Sequence, residues 1–320
     1  MQILSKITDE LMQGRTLSTC EAGELLAVDL HELMYHANRL RRHFKGDRVN
    51  LCSIINAKSG RCSEDCKFCA QSGHYNTACA EYPLVENEKF KAALSNALRH
   101  GARCFGVVTS GRQLSPEESG RLCGFIKDAG QTQAAIGASL GEIDVETMRA
   151  LKLSGLKKFH HNLETAESFF PNICTTHSFA GRVETIRRAK EAGFEVCSGG
   201  ILGLGETWRQ RIEFADTLRS LGVDSVPLNF LTPIAGTPLE HREKLTPAEI
   251  LRCISLFRFM MPDKDISICG GREAALRDMQ SWIFYAGANG MMTGGYLTTG
   301  GREPEKDLQM LQDLGLNNGK

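Results

Sequence analysis

One unit recurs along the chain: an amphipathic helical stretch closed by a small residue and a glycine, then at once a short apolar run. The glycines are Gly101, Gly130, Gly155, Gly193, Gly222 and Gly287, and the runs after them include RCFGVV, QAAIG, LKKFHHN, FEVCSGGI, VDSVPLNF and NGMMTG. Glycine just past a helix takes the left-handed conformation that caps the last carbonyls, so each one marks where a helix stops. Strands are predicted to begin near Val49, Arg103, Gln133, Lys157, Glu195, Asp224, Asp265 and Gly290, with helices between them. Such alternation demands crossover connections and hence a parallel sheet. Eight units predict an α/β fold, a (β/α)8 TIM-type barrel with its chemistry at the C-terminal strand ends. An open doubly wound sheet has the same periodicity and remains the alternative. Residues 1–45, with Leu25, Leu26, Leu30, Leu33 and Met34 near helical spacing, read as an N-terminal helical cap ahead of a barrel domain at 46–320.

A chain of 320 residues suits one large barrel. Its 38 basic residues balance 38 acidic ones, so no general field attracts nucleic acid or an anionic membrane, and small molecules are the expected ligands. Met1 to Gly14 mixes charged and apolar residues at helical spacing and does not read as a secretory signal, and no later run is apolar enough to span a bilayer. The 12 cysteines therefore read as reduced thiols or metal ligands of a cytoplasmic protein.

Directly after the first predicted strand comes Cys62-Ser-Glu-Asp-Cys66-Lys-Phe-Cys69. Three thiolates on one loop can hold three irons of a cubane [4Fe-4S] cluster and leave the last iron open to chelate a substrate. A structural zinc site is the competing reading, but zinc wants a fourth Cys or His ligand and only His74 lies close in sequence. The CxxxCxxC spacing resembles the signature of radical S-adenosylmethionine enzymes, in which the open iron chelates the methionine moiety and an electron from the cluster breaks the sulfonium bond. Gly199-Gly200-Ile201-Leu202-Gly203-Leu204-Gly205-Glu206 adds a glycine-rich turn at the end of the fifth strand that lets backbone approach a ligand. Read alone it is also a plain strand-to-helix turn.

The stretches CSEDCKFCAQS, HHNLET, VCSGGILGLGE, SVPLNFL and GYLTTGGREPEKDLQMLQDLGL together resemble the biotin synthase family over nearly the whole barrel. The resemblance implies insertion of sulfur into dethiobiotin at the expense of S-adenosylmethionine, with a second iron–sulfur cluster as sulfur source. It implies that Asn162 and Asn229 hydrogen-bond the ureido ring, since amides both donate and accept, although each residue also reads as a strand-end cap. Glu164 stands where the family has an aspartate on the ribose hydroxyls, a departure of one methylene. Arg182 matches a residue near the methionine carboxylate, a task suited to a guanidinium fork, and otherwise reads as a solvated helix-start arginine. Ile201 packs on the adenine in this reading, and Phe68 joins the cofactor contacts. Thr298 and Thr299 match contacts to the valeryl carboxylate, with Lys58 as charge partner; without the resemblance they are turn residues.

The family's better-known members hold a [2Fe-2S] cluster inside the barrel by three cysteines and an arginine. Cys104 and Cys197 match two of those positions, whereas the third cysteine position reads Gly137 and the arginine position Ser267. Cys269 lies two residues beyond Ser267 and so on the same strand face, while Cys52 on the first strand is close to the same place. Cysteines from separate strands suit a second cluster of the 4Fe type, able to carry an extra sulfide for insertion, better than a [2Fe-2S] rhomb. The plainer reading is that Cys104, Cys197 and Cys269 are small buried hydrophobes. Cys20, Cys79, Cys123 and Cys253 read as structural and Cys174 stays unassigned. The implied partners are dethiobiotin, an electron donor such as flavodoxin or ferredoxin, and a second copy in a homodimer. Two other readings stand beside this one: a related enzyme of the hydrogenase-maturation or pyrrolysine-pathway type, and a noncatalytic cluster carrier.

Overall fold

The computed structural model describes residues 2–318; Met1, Gly319 and Lys320, at the ends of the expected cap and barrel, lie outside the described residues. Three helices come first: α1 (Gln2–Met12), α2 (Thr19–Glu24) and α3 (Leu30–Lys45). Strands and helices then alternate: β1 (Asn50–Lys58), α4 (Asn87–Arg99), β2 (Cys104–Thr109), α5 (Pro116–Ala129), β3 (Ala135–Ser139) and α6 (Val145–Leu153). They continue as β4 (Lys158–His160), α7 (Phe179–Glu191), β5 (Glu195–Cys197), β6 (Gly200–Leu202), α8 (Trp208–Ser220), β7 (Ser225–Phe230) and α9 (Pro247–Met260). The chain ends through β8 (Asp265–Ile268), α10 (Arg272–Leu276), α11 (Trp282–Tyr285), β9 (Gly290–Met292) and α12 (Pro304–Asp313). All strand pairings are parallel, and contact of both β1 with β9 and β5 with β7 closes the ring. This is the (β/α)8 barrel that the repeating unit predicts, and the open-sheet alternative falls.

Local chemistry explains the punctuation. Ser115, Thr207 and Thr246 each close a reciprocal capping box with Glu118, Gln210 and Glu249, satisfying otherwise orphaned N–H groups at the starts of α5, α8 and α9. The six helix-end glycines of the repeat all have positive φ, from 60° at Gly222 to 112° at Gly287.

The fifth stave departs from the expectation of one strand: it breaks at Ser198–Gly199 into β5 and β6. Pro227, which has no N–H for a ladder, sits opposite the break. Its carbonyl oxygen lies 1.9 Å from where a Cβ on Gly199 would stand, so only glycine permits this approach.

The helix-facing side of the sheet carries the apolar core. Phe105 of β2 meets Phe90 of α4 edge-on, with ring centroids 5.8 Å apart, and Phe159 of β4 packs on Phe194. The inner side is different: Gly106, Gly137, Gly290, Ser267 and several cysteines occupy positions that ordinary barrels fill with branched apolar side chains. α3 packs along α9, and α2 along α8. Among the described residues no helix is long and apolar enough to cross a membrane.

Arg258 of α9 is fully buried and donates to the carbonyls of Gly287 (2.7 Å), Pro262 (2.9 Å) and Lys264 (2.7 Å) and to Asn289 Oδ1 (2.9 Å). Arg258→Met keeps an apolar stem but takes the donor from these carbonyls, at roughly 1–3 kcal/mol for each one left without a partner, while Asn289 Oδ1 keeps the Ile266 N–H. A clear fall in the thermal unfolding midpoint is expected, and an unchanged midpoint would show that the carbonyls are hydrated instead.

Candidate active site

The cysteine motif lies on the long loop between β1 and α4. Cys62 N–H donates to the Gln71 carbonyl at 3.0 Å, Gly73 N–H returns to the Cys62 carbonyl at 2.8 Å, and Cys69 N–H reaches the Cys66 carbonyl at 2.9 Å. These bonds fold the loop so that all three thiols line one cavity of about 330 Å³ at the C-terminal mouth of the barrel. That volume is at the small end of the range for small-molecule sites.

The loop is strapped to the segment before α7. Lys67 N–H donates to the Ile173 carbonyl at 2.9 Å, and Asp65 Oδ1 accepts from the backbone N–H of Thr175 (2.8 Å) and Thr176 (3.2 Å). Against its burial, these bonds and those from side chains hold the Asp65 carboxyl well below the usual carboxylate range. The strap brings Cys174 to 3.8 Å from Cys66, sulfur to sulfur. Their hydrogen bond, with burial, raises the Cys66 thiol; it is also the largest cause that drops Cys174 to about 4, with His177 assisting.

The cofactor-side residues gather on the next wall. Arg182, on the first turn of α7, donates from Nε to His177 Nε2 at 2.9 Å and from Nη1 to the Asn162 carbonyl at 2.7 Å, and its guanidinium stands 3.8 Å from Glu164. It is therefore not a solvated arginine. Burial raises the Glu164 carboxyl and the Arg182 charge opposes that rise. Glu164 has φ 71°, a conformation rare for a non-glycine residue, and its carbonyl accepts the Ile201 N–H at 2.8 Å. Phe68, Glu164, Arg182 and Ile201 all line the cavity. Glu206 ties the glycine turn from beneath, accepting from Gly203 N–H (2.8 Å), Gly205 N–H (3.1 Å) and Arg211 Nε (2.7 Å).

Four cysteines converge inside the barrel below this cavity. Cys52 and Cys104 are register partners on β1 and β2, while Cys197 is the register partner of His160 on β4. The hydrogen bond from Cys52 lowers Cys104 and raises Cys52; burial raises Cys197 to about 12 and lifts Cys269 further, and each of these two feels the Cys104 charge. Cys52, Cys197 and Cys269 are raised while Cys104, facing Cys52, His160 and Lys158, is lowered, and four thiols in one buried space are a donor set suited to an iron–sulfur cluster. His160 Nε2 is buried with no hydrogen-bond partner, 2.6 Å from where a Cβ on Gly137 would stand. The donor set and this orphaned nitrogen fit a metal centre, and the glycine is what makes room for the imidazole.

The substrate-side residues divide. Asn162 and Asn229 both line the cavity while bracing backbone: Asn162 Oδ1 accepts Gly199 N–H at 3.2 Å, and Asn229 bridges the Gly200 carbonyl (3.0 Å) and Gly270 N–H (2.8 Å). Each amide keeps unused capacity for a ligand. Thr298 and Thr299 line the cavity, with Thr299 Oγ1 donating to the Tyr296 carbonyl at 2.9 Å. Lys58 is not among the lining residues; its ammonium is paired with Glu118 at 2.7 Å. Besides Arg182, Arg112 lines the cavity, held by Glu142 at 3.1 Å. Sequence reading passed over Arg112, Tyr296, His160 and His177 and left Cys174 unassigned, although a cysteine and a histidine three residues apart is a ligand-like spacing.

Residues 57–218 match the family profile described as Radical SAM superfamily, and residues 227–317 match the Biotin and Thiamin Synthesis associated domain. A biotin synthase of Pelobacter propionicus is 53% identical over 316 residues, covering 97% of this chain and 96% of its own length. One of Geobacter sulfurreducens is 53% identical over 315 residues with the same 97% and 96% coverage. Among solved structures, methylornithine synthase superposes with a TM-score of 0.83 at 21% identity, covering 98% of this chain and 97% of that one. The FeFe-hydrogenase maturase of Carboxydothermus hydrogenoformans does so at 0.79 and 18% identity, with 98% and 79% coverage. These two share the fold.

A Cβ on Gly200 would stand 2.1 Å from the Glu164 carbonyl oxygen, whereas one on Gly23 of α2 would meet nothing within 4 Å. Gly200→Ala is expected to cost at least about 1–3 kcal/mol by forcing β6 off Glu164, while Gly23→Ala stabilises by up to about 1 kcal/mol. Paired thermal melts check both, and equal melting points would overturn the close-approach argument.

Proposed function

The chain belongs to the biotin synthase family, and we propose from that premise how its side chains share the work. Its reaction is the radical S-adenosylmethionine-dependent insertion of sulfur into dethiobiotin to form biotin. High identity over nearly the full chain favours this reading over the hydrogenase-maturation and pyrrolysine-pathway types, with which the solved neighbours share the fold alone. It also leaves the noncatalytic carrier without support. A [4Fe-4S] cluster and S-adenosylmethionine come with the radical SAM domain. When bound, they supply an electron and, from it, a primary carbon radical able to take hydrogen from unactivated carbon.

In our reading Cys62, Cys66 and Cys69 hold the cluster, supported by their common wall of the cavity. Arg182 and Glu164 then orient S-adenosylmethionine: the guanidinium faces its carboxylate, the Glu164 carboxyl its ribose hydroxyls, and Phe68 and Ile201 flank the rest as apolar walls. Asn162 and Asn229 present their spare amide atoms to the ureido ring and fix its rotation, which holds the reacting carbons within reach. Thr298 and Thr299 receive the valeryl carboxylate, with Arg112 rather than Lys58 as the nearby cation, because Arg112 lines the cavity and Lys58 does not, although each is paired with a glutamate.

The observation that carries the sulfur-donor assignment is the set of cysteines beneath the substrate cavity. Cys269 lines that cavity, and Cys104, Cys197 and Cys52 interact with it electrostatically or with one another. We assign them to an auxiliary cluster of the 4Fe type, with a sulfide to donate, rather than [2Fe-2S]. The cap at 1–45, the barrel domain at 46–320, a cytoplasmic location, a homodimer and a flavodoxin or ferredoxin donor complete the proposal. The end of α3 at Lys45 supports the first boundary, and 12 free cysteines support a reducing compartment.

Anaerobic reconstitution with iron and sulfide, followed by dithionite, S-adenosylmethionine and dethiobiotin, should yield both 5′-deoxyadenosine and biotin. Cys66→Ala is expected to abolish 5′-deoxyadenosine formation; Cys269→Ala should retain it while biotin falls at least about tenfold, the scale of losing a metal-site contact. Cleavage that survives in the first variant would sink the cluster assignment. About eight irons per chain supports the 4Fe type, and about six returns the auxiliary site to [2Fe-2S].

A further inference from the structure

Cys174 has no part in the scheme above, yet it is 3% exposed and surrounded by donors. Its sulfur is 3.8 Å from Cys66 Sγ and 3.1 Å from His177 Nδ1. Among the described residues, Cys66, Cys174 and His177 are the one group of His, Cys or acidic ligand atoms that all lie within 4.8 Å of one another. Two thiolates on one tetrahedral ion at about 2.3 Å stand about 3.8 Å apart, which is the separation seen. Thiolates on different irons of a cubane stand farther apart, because two metal atoms lie between them. The Cys66–Cys174 pair is thus spaced for one ion and not for a cluster edge. A thiolate and an imidazole on such an ion stand about 3.5 Å apart, so His177 has to open by only a few tenths of an ångström.

The surroundings are those of a metal ligand. His177 Nε2 accepts from Arg182 Nε at 2.9 Å, which fixes the ring, and Nδ1 faces both Cys174 and, at 2.6 Å, Glu64 Oε2. A metal-bound histidine donates from its other ring nitrogen, so ligation through Nδ1 requires the Nε2 bond from Arg182 to give way. Cys66, Cys174 and the His177 side chain are all more than nine-tenths buried. Three protein ligands of S and N type with a fourth position for water suit a borderline divalent ion, and zinc binds such a set more tightly than iron(II).

We propose that Cys66, Cys174 and His177 form a mononuclear zinc-type site, and that an ion there excludes the catalytic cluster because both claim the Cys66 sulfur. The ion enters by displacing the two thiol protons, while the proton between His177 and Glu64 moves to Nε2, which releases Arg182 Nε and frees Nδ1 as the ligand; no oxidation state changes. The competition rests on Cys66 being a cluster ligand; the ion site itself does not.

Chelator-stripped protein is titrated anaerobically with cobalt(II), whose thiolate charge-transfer band reports sulfur ligation, and zinc(II) is then used to displace it. In a Cys104→Ala/Cys197→Ala/Cys269→Ala background, which removes the interior thiol set, one equivalent is expected to bind, and equally when Cys62→Ala is added, a change that takes away a cluster ligand but none of these three. Cys174→Ser and His177→Gln should each bind at least about tenfold more weakly. Loss in Cys62→Ala, or full retention in both Cys174→Ser and His177→Gln, would place the ion on the CxxxCxxC loop and overturn the site. In the second arm, zinc-loaded wild type should take up iron and sulfide several-fold more slowly than stripped protein, whereas Cys174→Ser should show no zinc effect. An intact cobalt site with unimpeded cluster uptake overturns the exclusion and leaves the ion site standing.

Discussion

A barrel normally stands on its filled interior, and this one has given much of that interior away. Glycine, serine, cysteine and one histidine line the inner face of the strands, where branched side chains would otherwise interdigitate. The compensating cohesion lies outside the ring, in the layer between sheet and helices, where Phe90, Phe105 and Phe125 on one side and Phe214 and Phe257 on another pack ring against ring. Buried charge completes it: Arg258 gathers the carbonyls at the end of α9, and Arg272 anchors α12 through Asp307 at 2.8 Å. Ordering the shell this firmly is what allows the centre to be hollow, polar and rich in thiols.

The same constraint shapes the site. Because the cavity sits where the fifth stave breaks, backbone rather than side chains forms much of its wall. Pro227 and the Glu164 carbonyl press against Gly199 and Gly200, and the asparagines at the strand ends bond to the backbone so exposed. Asn162 and Asn229 are therefore both braces and ligand contacts, and the two roles share one geometry. Glu206 serves the turn in the same way, satisfying two N–H groups that the glycines would otherwise leave to water.

Most strands were legible because a glycine that ends a helix precedes them; β8 lacks one, since Met261 caps α9, yet all eight predicted starts fall within two residues of those observed. The three proposed ligands of the first cluster were legible because they fall within eight residues of one loop. The interior cysteines were half legible: the two-residue alternation of a strand put Cys269 on the face of Ser267, but only closure of the ring brings β1, β2, β5 and the end of β8 to one point. Lys58 shows the limit of reading a charge from its neighbours in sequence. Its partner, Glu118, lies 60 residues away on α5, and the ammonium turns to it rather than lining the cavity.

What the sequence by itself determined is local: where helices stop, which strand face is polar, and which loop carries a chelating spacing. These follow from backbone conformation and side-chain period, which act over a few residues. The tertiary structure alone decided that Cys174 stands beside Cys66, 108 residues earlier, that His160 fills the space left by Gly137, and that the fifth strand breaks. Those outcomes depend on the strap between the cysteine loop and α7 and on the closing of the ring. Contacts between distant segments are set by packing, which no single stretch of the chain encodes.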